Sequence, residues 1–367
     1  YLNTQSSLAM KGAGYYSAKT AGAKKAIDKT QKVIENALKT IPSSELLKFA
    51  DFGSADGGTS QEMWNNIIEL IREKGDNRQI EILYTDLASN DFSTLFKTMQ
   101  GMHGNSNFAF QKNFKDVYVH GSGTGFHEQL MSDSSLTLGF SATAMHYVSE
   151  RPCLIENHVH MTGANESEKQ LFKNQASKDW ETILLNRSKE LIKGGRFVCI
   201  NFGIDEQGRC LGNTGGHIMF NNFAKNWKHL KHQEVITNQE FINATFTQHY
   251  RTVEEFKKPF EDKDSIISKS GLVLKSCETM ITDCPYKLHY LNNKDTMSSE
   301  EYANTLIPTM RSWSETVFRN ALIERTEKDI NEIVDKFYNL YIEEVSNDPE
   351  GHAMDYVHVI MDVEKVS

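Results

Sequence analysis

Three glycines placed just after a short apolar run constrain this chain more than any other feature. Residues 46–52, Leu-Leu-Lys-Phe-Ala-Asp-Phe, are short and mostly apolar, as a buried parallel strand requires. Gly53, Gly57 and Gly58 then permit a tight turn and a close approach of backbone to a ligand. Residues 61–74 follow with Met63, Trp64, Ile67, Ile68 and Ile71 on one helical face. Thr59 with Glu62 predicts a capping box at that helix start. Strand, glycine turn and helix N-terminus together form a nucleotide-type binding corner.

The spacing decides which nucleotide. A dinucleotide fingerprint is G-x-G-x-x-G, whereas this turn reads G-x-x-x-G-G with Asp51 just before the first glycine. That is closer to the D-x-G-x-x-x-G pattern of S-adenosylmethionine-dependent methyltransferases. Their donor carries an ammonium and a sulfonium and no pyrophosphate, so nearby acids are wanted and a phosphate cradle is not. Residues 81–85 form a second apolar strand ending in Asp86-Leu87, where a doubly wound sheet binds a ribose diol.

Residues 86–96, Asp-Leu-Ala-Ser-Asn-Asp-Phe-Ser-Thr-Leu-Phe, resemble the D-L-x-x-N-D-F-N-x-L-F stretch of the SABATH methyltransferases (salicylate, benzoate and theobromine synthases and relatives). The glycine turn resembles their A-D-L-G-C-S-x-G-x-N-T. Residues 141–152 resemble S-S-x-S-x-H-W-L-S-x-x-P, and residues 10–27 match at the N-terminus, so the resemblance spans nearly the whole chain. It implies an α/β fold, a class I Rossmann-like methyltransferase sheet with a helical cap, using S-adenosyl-L-methionine to methylate a small molecule.

The resemblance also implies roles. Asp51 stands for the acid beside the methionine moiety, with Gly53 and Thr59 in the turn. Asp86 stands for the ribose acid and Leu87 for the residue against the adenine. Gly125 and Phe126 match a serine–phenylalanine pair flanking the adenine, without the serine hydroxyl. Ser141 and Thr143 match the strand end beneath the sulfonium. Tyr16 and Thr20 match the residues that close over cofactor and substrate. His146 and Tyr147 match a histidine or methionine followed by a tryptophan, and are the expected catalytic pair. On the acceptor side stand His217, Met219, Phe220 and Trp313, from segments 217–227 and 307–318 of the cap. The chain departs from the family at Ala23, where a carboxylate-clamping glutamine is expected, at Tyr147 in place of tryptophan, and at Thr59 in place of asparagine. Cofactor binding is therefore expected to be retained and acceptor recognition rebuilt.

The chemistry asks little of the protein. The sulfonium is an activated donor, and a carboxylate acceptor is already ionised at neutral pH, so positioning suffices and no general base is needed. Methyl ester formation is the expected reaction. The alternative is transfer to a heterocyclic or amine nitrogen, which favours a neutral or acidic pocket, whereas a basic residue there favours the carboxylate. A cofactor-binding protein without turnover would have a blocked acceptor cavity. A dehydrogenase is disfavoured by the glycine spacing. The pairs His158/His160 and His229/His232 lack third and fourth ligands nearby, so no metal is expected.

The net charge of −9 and the absence of a Lys/Arg-rich run argue against a nucleic-acid partner. Five dispersed cysteines, Cys153, Cys199, Cys210, Cys277 and Cys284, suit a reducing, cytoplasmic location. No stretch reads as a membrane span or signal peptide, although Tyr1 in place of Met leaves room for a preceding segment. A small-molecule acceptor is the expected partner, with a homodimer possible. The organisation expected is a lid and helix over 1–40, a cofactor core over 41–204, a helical cap with one core strand over 205–350, and a final strand over 351–367. Within it, helices are predicted over 18–38, 90–99, 168–192, 220–230 and 307–341. Strands are predicted over 136–141, 196–202, 272–281 and 354–363. Residues 114–125 read as a glycine-rich connection and 126–130 as helical. Leu171, Ala176, Trp180, Ile183, Leu184 and Leu191 mark the buried face of the 168–192 helix, which Gly194-Gly195 should stop.

Overall fold

The structure, a computed structural model, describes residues 20–42 and 45–367. Tyr16 and the lid expected over residues 1–17 lie outside the described residues. Eight strands make one sheet: β1 (Leu46–Phe52), β2 (Gln79–Thr85), β3 (Val117–Ser122), β4 (Leu136–Ala142), β5 (Leu191–Ile204), β6 (Arg251–Thr252), β7 (Leu272–Thr282) and β8 (Tyr356–Lys365). Their order is β3-β2-β1-β4-β5-β8-β7, with the short β6 beside β5. β1 to β5 run parallel, and β8 inserts antiparallel between β5 and β7. The chain order reverses between β1 and β4, which opens a crevice at the carboxyl ends of those two strands.

Helix α1 (Ala21–Leu38) and α2 (Gln61–Glu73) cover one face of the sheet. Met63, Trp64, Ile67 and Ile68 of α2 are fully buried, worth about 1.5–3 kcal/mol each relative to exposure. Trp64 stacks on Phe49 of β1 at 5.6 Å and meets Phe140 of β4 edge-on at 6.0 Å, so one side chain ties the helix to both strands at the crevice. After α3 (Phe92–Met99), helix α4 (Glu166–Glu190) covers the opposite face through Trp180, Ile183 and Leu184. Asn165 and Glu168 cap it in a reciprocal box. Leu171 is exposed, contrary to its expected face, because Phe172 takes the inward position.

Three further local expectations are corrected. Residues 117–122, expected as a connection, form the edge strand β3, paired in register from Ile80↔Val117 to Thr85↔Ser122. Only Val117 of it is buried, so polarity and glycine concealed the strand. Residues 126–130 are not helical. Arg187 donates to the Phe126 and Glu128 carbonyls at 2.9 and 2.8 Å, and Asn186 donates to the His127 carbonyl at 2.6 Å. Carbonyls engaged by α4 are not available to their own helix. Arg187 itself is fully buried, paired with Glu190 at 2.6 Å. Finally, Gly194-Gly195 do not stop the helix. It ends at Glu190, and β5 runs through the glycines, with Gly194 in left-handed backbone against Pro42.

Three long later helices gather over the carboxyl edge. α5 (Met219–His232), α6 (Ser299–Ala321) and α7 (Glu327–Asn347) pack through an aromatic core. Phe318 lies 4.2 Å from Phe337 and 5.0 Å from Trp227, ring to ring. The expected helical region 307–341 is thus two helices, parted between Ala321 and Glu327.

The turn after β1 tolerates no side chain at Gly53. Its φ is +75°, and an added Cβ would sit 2.4 Å from Ala144 Cβ. Gly75, at φ +78° beyond α2, has nothing within 4 Å of an added Cβ. Gly75→Ala should therefore cost only the left-handed term, about 1–2 kcal/mol. Gly53→Ala should cost about 1–3 kcal/mol more through overlap. Urea unfolding of the two variants measures the difference; equal losses would show that the turn yields freely.

Candidate active site

The crevice is built from the ends of β1, β2 and β4. The amides of Gly53 and Ser54 donate to the Thr85 carbonyl at 2.8 and 3.1 Å, which folds the turn over β2. Ala55 then adopts φ +49° without being glycine. Its N–H donates to Asp86 Oδ2 at 2.7 Å, and its carbonyl accepts from Asn90 Nδ2 at 2.8 Å. Asp86 Oδ1 accepts from the Leu87 amide at 2.7 Å. Burial raises the Asp86 carboxyl above its ordinary range. Asp91 caps α3 by accepting from the Thr94 amide at 3.0 Å. The 86–91 segment therefore holds the glycine turn with one end and starts a helix with the other.

Asp51 is buried one turn deeper. Its Oδ2 accepts from Ser60 Oγ at 2.6 Å and from Trp64 Nε1 at 2.9 Å. Burial pushes its carboxyl up to about 6 despite those bonds. This arrangement overturns the Thr59/Glu62 capping box. Ser60 is the residue before the helix and makes no side-chain cap, because its hydroxyl goes to Asp51. Half-buried Thr59 sits in the turn itself.

Leu87, Gly125 and Phe126 close on the turn from the β3 side. A Cβ on Gly53 would lie 3.6 Å from the Phe126 ring, and one on Gly125 would lie 3.3 Å from Leu87 Cδ2. Ser141 lies near the end of β4. It is fully buried, and its hydroxyl donates to the Phe52 carbonyl at 2.8 Å, joining β4 to β1. Thr143, two residues on, has φ +53° and faces the adjoining cavity.

That cavity is narrow, about 30 Å³, and lies between the carboxyl edge and the cap. Thr20, Ala23, Thr143, His146, Tyr147 and Trp313, all candidates singled out in the sequence, line it. Phe202, Leu211, Gln248, Tyr250, Met354 and Tyr356 line it as well, and sequence reasoning missed them. Phe202 could have been found from its place near the end of β5. Gln248 and Tyr250 carry no local signal; an isolated antiparallel bridge between Tyr147 and Gln248 brings them in. A larger cavity of about 260 Å³ beside α4, lined by Lys173, Trp180, Arg251 and Glu255, includes none of the turn residues.

His217, Met219 and Phe220 do not line the narrow cavity, contrary to expectation. Met219 and Phe220 open α5 with their side chains in the cap core, where Phe220 stacks face to face on His160 at 3.7 Å. His217 is exposed and bonds Asp348 at 2.8 Å.

The site's electrostatics centre on His146. Its ring packs 4.5 Å from Tyr147, 5.0 Å from Phe202 and 5.6 Å from Tyr250. Burial, aided by the Arg251 charge, lowers its pKa to about 3, so the ring is neutral at physiological pH. Arg251 is buried behind it, and its terminal nitrogens donate to the carbonyls of Met145 and Ala176 at 2.8 and 2.7 Å. No carboxylate lies within ion-pair distance of Arg251 among the described residues. A buried cation thus stands behind a wall of neutral groups.

The chain matches the family described as SAM dependent carboxyl methyltransferase over residues 5–366, and it belongs to that family. It is a methyltransferase, and its methyl donor is S-adenosylmethionine. It is 25% identical over 319 residues to "Methyltransferase FUS9" of Gibberella moniliformis (strain M3125 / FGSC 7600), covering 85% of this chain and 83% of that one. It is 28% identical over 205 residues to the "Salicylate/benzoate carboxyl methyltransferase" of Arabidopsis thaliana, a match spanning 52% of this chain and only about half, 53%, of the relative. Among solved structures, "Loganic acid methyltransferase with SAH" superposes with a TM-score of 0.75 at 16% identity, covering 98% of this chain and 99% of that one. The fold is therefore the Rossmann-like methyltransferase fold. Among the described residues, no helix is long and apolar enough to cross a membrane.

Buried histidines make stability depend on pH. His146 and His358 are both held near 3 by burial, against 6.5 for a free ring. Below pH 6.5 the unfolded chain binds protons that these folded rings refuse, so stability falls as pH falls. Asp51 acts in the opposite sense between about pH 4 and 6, since its folded carboxyl keeps a proton that the unfolded one releases. These three groups alone give a loss of about 2 kcal/mol between pH 7.0 and 5.5, and His127, His158, His160, His249 and His352, also lowered by burial, add to it. Urea titrations at the two values measure it; a flat profile would place protons on the folded rings.

Proposed function

We propose that this enzyme methylates a carboxylate oxygen of a small, largely apolar acid. The reading is supported by one arrangement. Three neutral side chains able to donate hydrogen bonds, His146, Tyr147 and Gln248, line the cavity beside Thr143, with Arg251 buried behind them. The described lining residues include no lysine or arginine, so the basic residue expected to meet a carboxylate is absent from the wall itself. Arg251 places a cation in the next layer, partly offset by Asp179 and Glu255, and that disfavours a cationic amine beside it. The rest of the wall is aromatic or aliphatic and suits an apolar body.

The corner fits the donor. Gly53 leaves backbone where a Cβ cannot stand, and Asp86 presents a half-buried carboxylate whose oxygens keep lone pairs beyond the two amides they accept. When bound, S-adenosylmethionine supplies a methyl group already activated by its sulfonium. Asp86 would hold the ribose diol, Leu87, Gly125 and Phe126 the adenine, and the turn from Asp51 through Gly53 to Thr59 the amino-acid end. Thr20 and Ala23 on the α1 side and Trp313 of α6 would exclude water from the cavity. His146 and Tyr147 would orient the ionised acceptor, so positioning carries the rate and no proton needs removing. The cap would thus act as acceptor domain over 205–350, set on a cofactor core over 41–204.

Two variants separate these roles. Asp86→Asn should weaken S-adenosylmethionine binding about tenfold or more, since a hydrogen bond to a charged group is worth about 1.5–3 kcal/mol. Calorimetry showing unchanged affinity in the folded variant would remove Asp86 from the cofactor site. Tyr147→Phe should slow methyl transfer about tenfold or more while leaving donor affinity alone, because its hydroxyl would touch only the acceptor. Labelled donor offered with a panel of carboxylic acids, amines and nitrogen heterocycles provides the turnover assay. Methylation of nitrogens alone would overturn the carboxylate reading, and donor binding without any turnover would favour a binding protein.

A further inference from the structure

His217 is left over from the acceptor site, and its surroundings explain its position. It precedes α5, whereas Asp348 caps the C-terminus of α7 and His352 lies on the loop leading to β8. One ring nitrogen from each histidine and one Asp348 oxygen all lie within 4.8 Å of one another. The His217 and His352 rings stack at 4.5 Å with 27° between their planes.

We propose that His217, Asp348 and His352 form a binding site for a divalent transition metal of the zinc type. Two imidazoles and a carboxylate are a zinc donor set, leaving a further position for water. Metal–ligand bonds near 2.1 Å bring such donor atoms to roughly 3.4 Å apart. The His217 and Asp348 side chains, both about half exposed, have room to rotate toward that spacing.

The scaffold is already braced around these groups. The His217 amide donates to the Gly351 carbonyl at 2.8 Å, so the two loops are joined. The Gly351 amide donates to Asp348 Oδ1 at 3.1 Å, which leaves Oδ2 directed at His217 Nε2, 2.8 Å away. A Cβ at position 351 would stand 2.2 Å from Asp348 Oδ2 and 2.5 Å from His217 Cδ2, so a larger residue there would displace both of these side chains. His352 is buried on Asn222, and its carbonyl accepts from Tyr302 at 2.8 Å. These contacts fix His352 in place beside Asp348. The neighbouring cations are engaged elsewhere, Lys225 on Glu344 at 2.8 Å and Lys287 on the Pro349 carbonyl at 3.1 Å. Met354, two residues beyond His352, lines the acceptor cavity. An ion here would brace that wall by clipping the start of α5 to the loop.

Zinc chloride titrated calorimetrically into the chelator-treated full chain tests the site without any activity measurement. Wild type should bind one equivalent. His217→Ala and His352→Ala should each weaken that binding tenfold or more, and Asp348→Asn should weaken it by a similar factor while keeping an acceptor for His217. His229→Ala, an exposed histidine elsewhere on α5, should leave it unchanged. Zinc should also raise the unfolding temperature of wild type and not of His217→Ala, an exposed position whose variant will fold. No zinc binding by wild type, an unchanged isotherm in His217→Ala, or an equal loss in His229→Ala would each overturn the proposal.

Discussion

A single carboxylate keeps the active-site corner in shape. Ala55 sits in left-handed backbone, which costs a non-glycine residue about 1–2 kcal/mol. Its N–H bond to Asp86 is worth about 1.5–3 kcal/mol, enough to hold that conformation. Asn90 takes the same peptide from the carbonyl side. The turn is therefore right only if β2 ends level with β1, as the pairing Phe52↔Thr85 provides. A one-residue slip would turn every side chain of β2 to the opposite face and carry Asp86 away from Ala55.

The same logic extends to β4. Ser141 bonds the Phe52 carbonyl, which sets the end of β4 beside the turn. Thr143, His146 and Tyr147 then leave the sheet at the crevice. The loop before β6 returns to meet them, since Gln248 bridges Tyr147 and Arg251 donates to the Met145 carbonyl. Burial, with the Arg251 guanidinium adding to it, keeps His146 neutral, while Asp179 and Glu255 are the carboxylates nearest to that guanidinium. The narrow cavity is lined by neutral groups.

Much of the cofactor corner was legible in the sequence because its determinants are local. Gly53 is required by one φ value and one close contact. Asp86 and Asn90 act on a turn whose strand is the immediate neighbour of their own. Apolar periodicity located α2 and the paired core strands because burial imposes it. The same rules failed where long-range partners competed. The carbonyls at 126–128 were claimed by α4, and the Ser60 hydroxyl, expected to leave capping to Thr59, was claimed by Asp51.

Local chemistry thus determined the strand–turn–helix corner, the donor it takes and the family. The acceptor wall was decided by tertiary structure alone. Leu211, Gln248, Tyr250 and Tyr356, which no sequence signal marked, share no pattern. Met219 and Phe220 lie beside them in the cap yet turn into its core, because each residue of α5 faces whichever side buries it best. Which side chains meet in that cavity depends on how three cap helices pack over the carboxyl edge, a sum of many small contacts that no short stretch encodes.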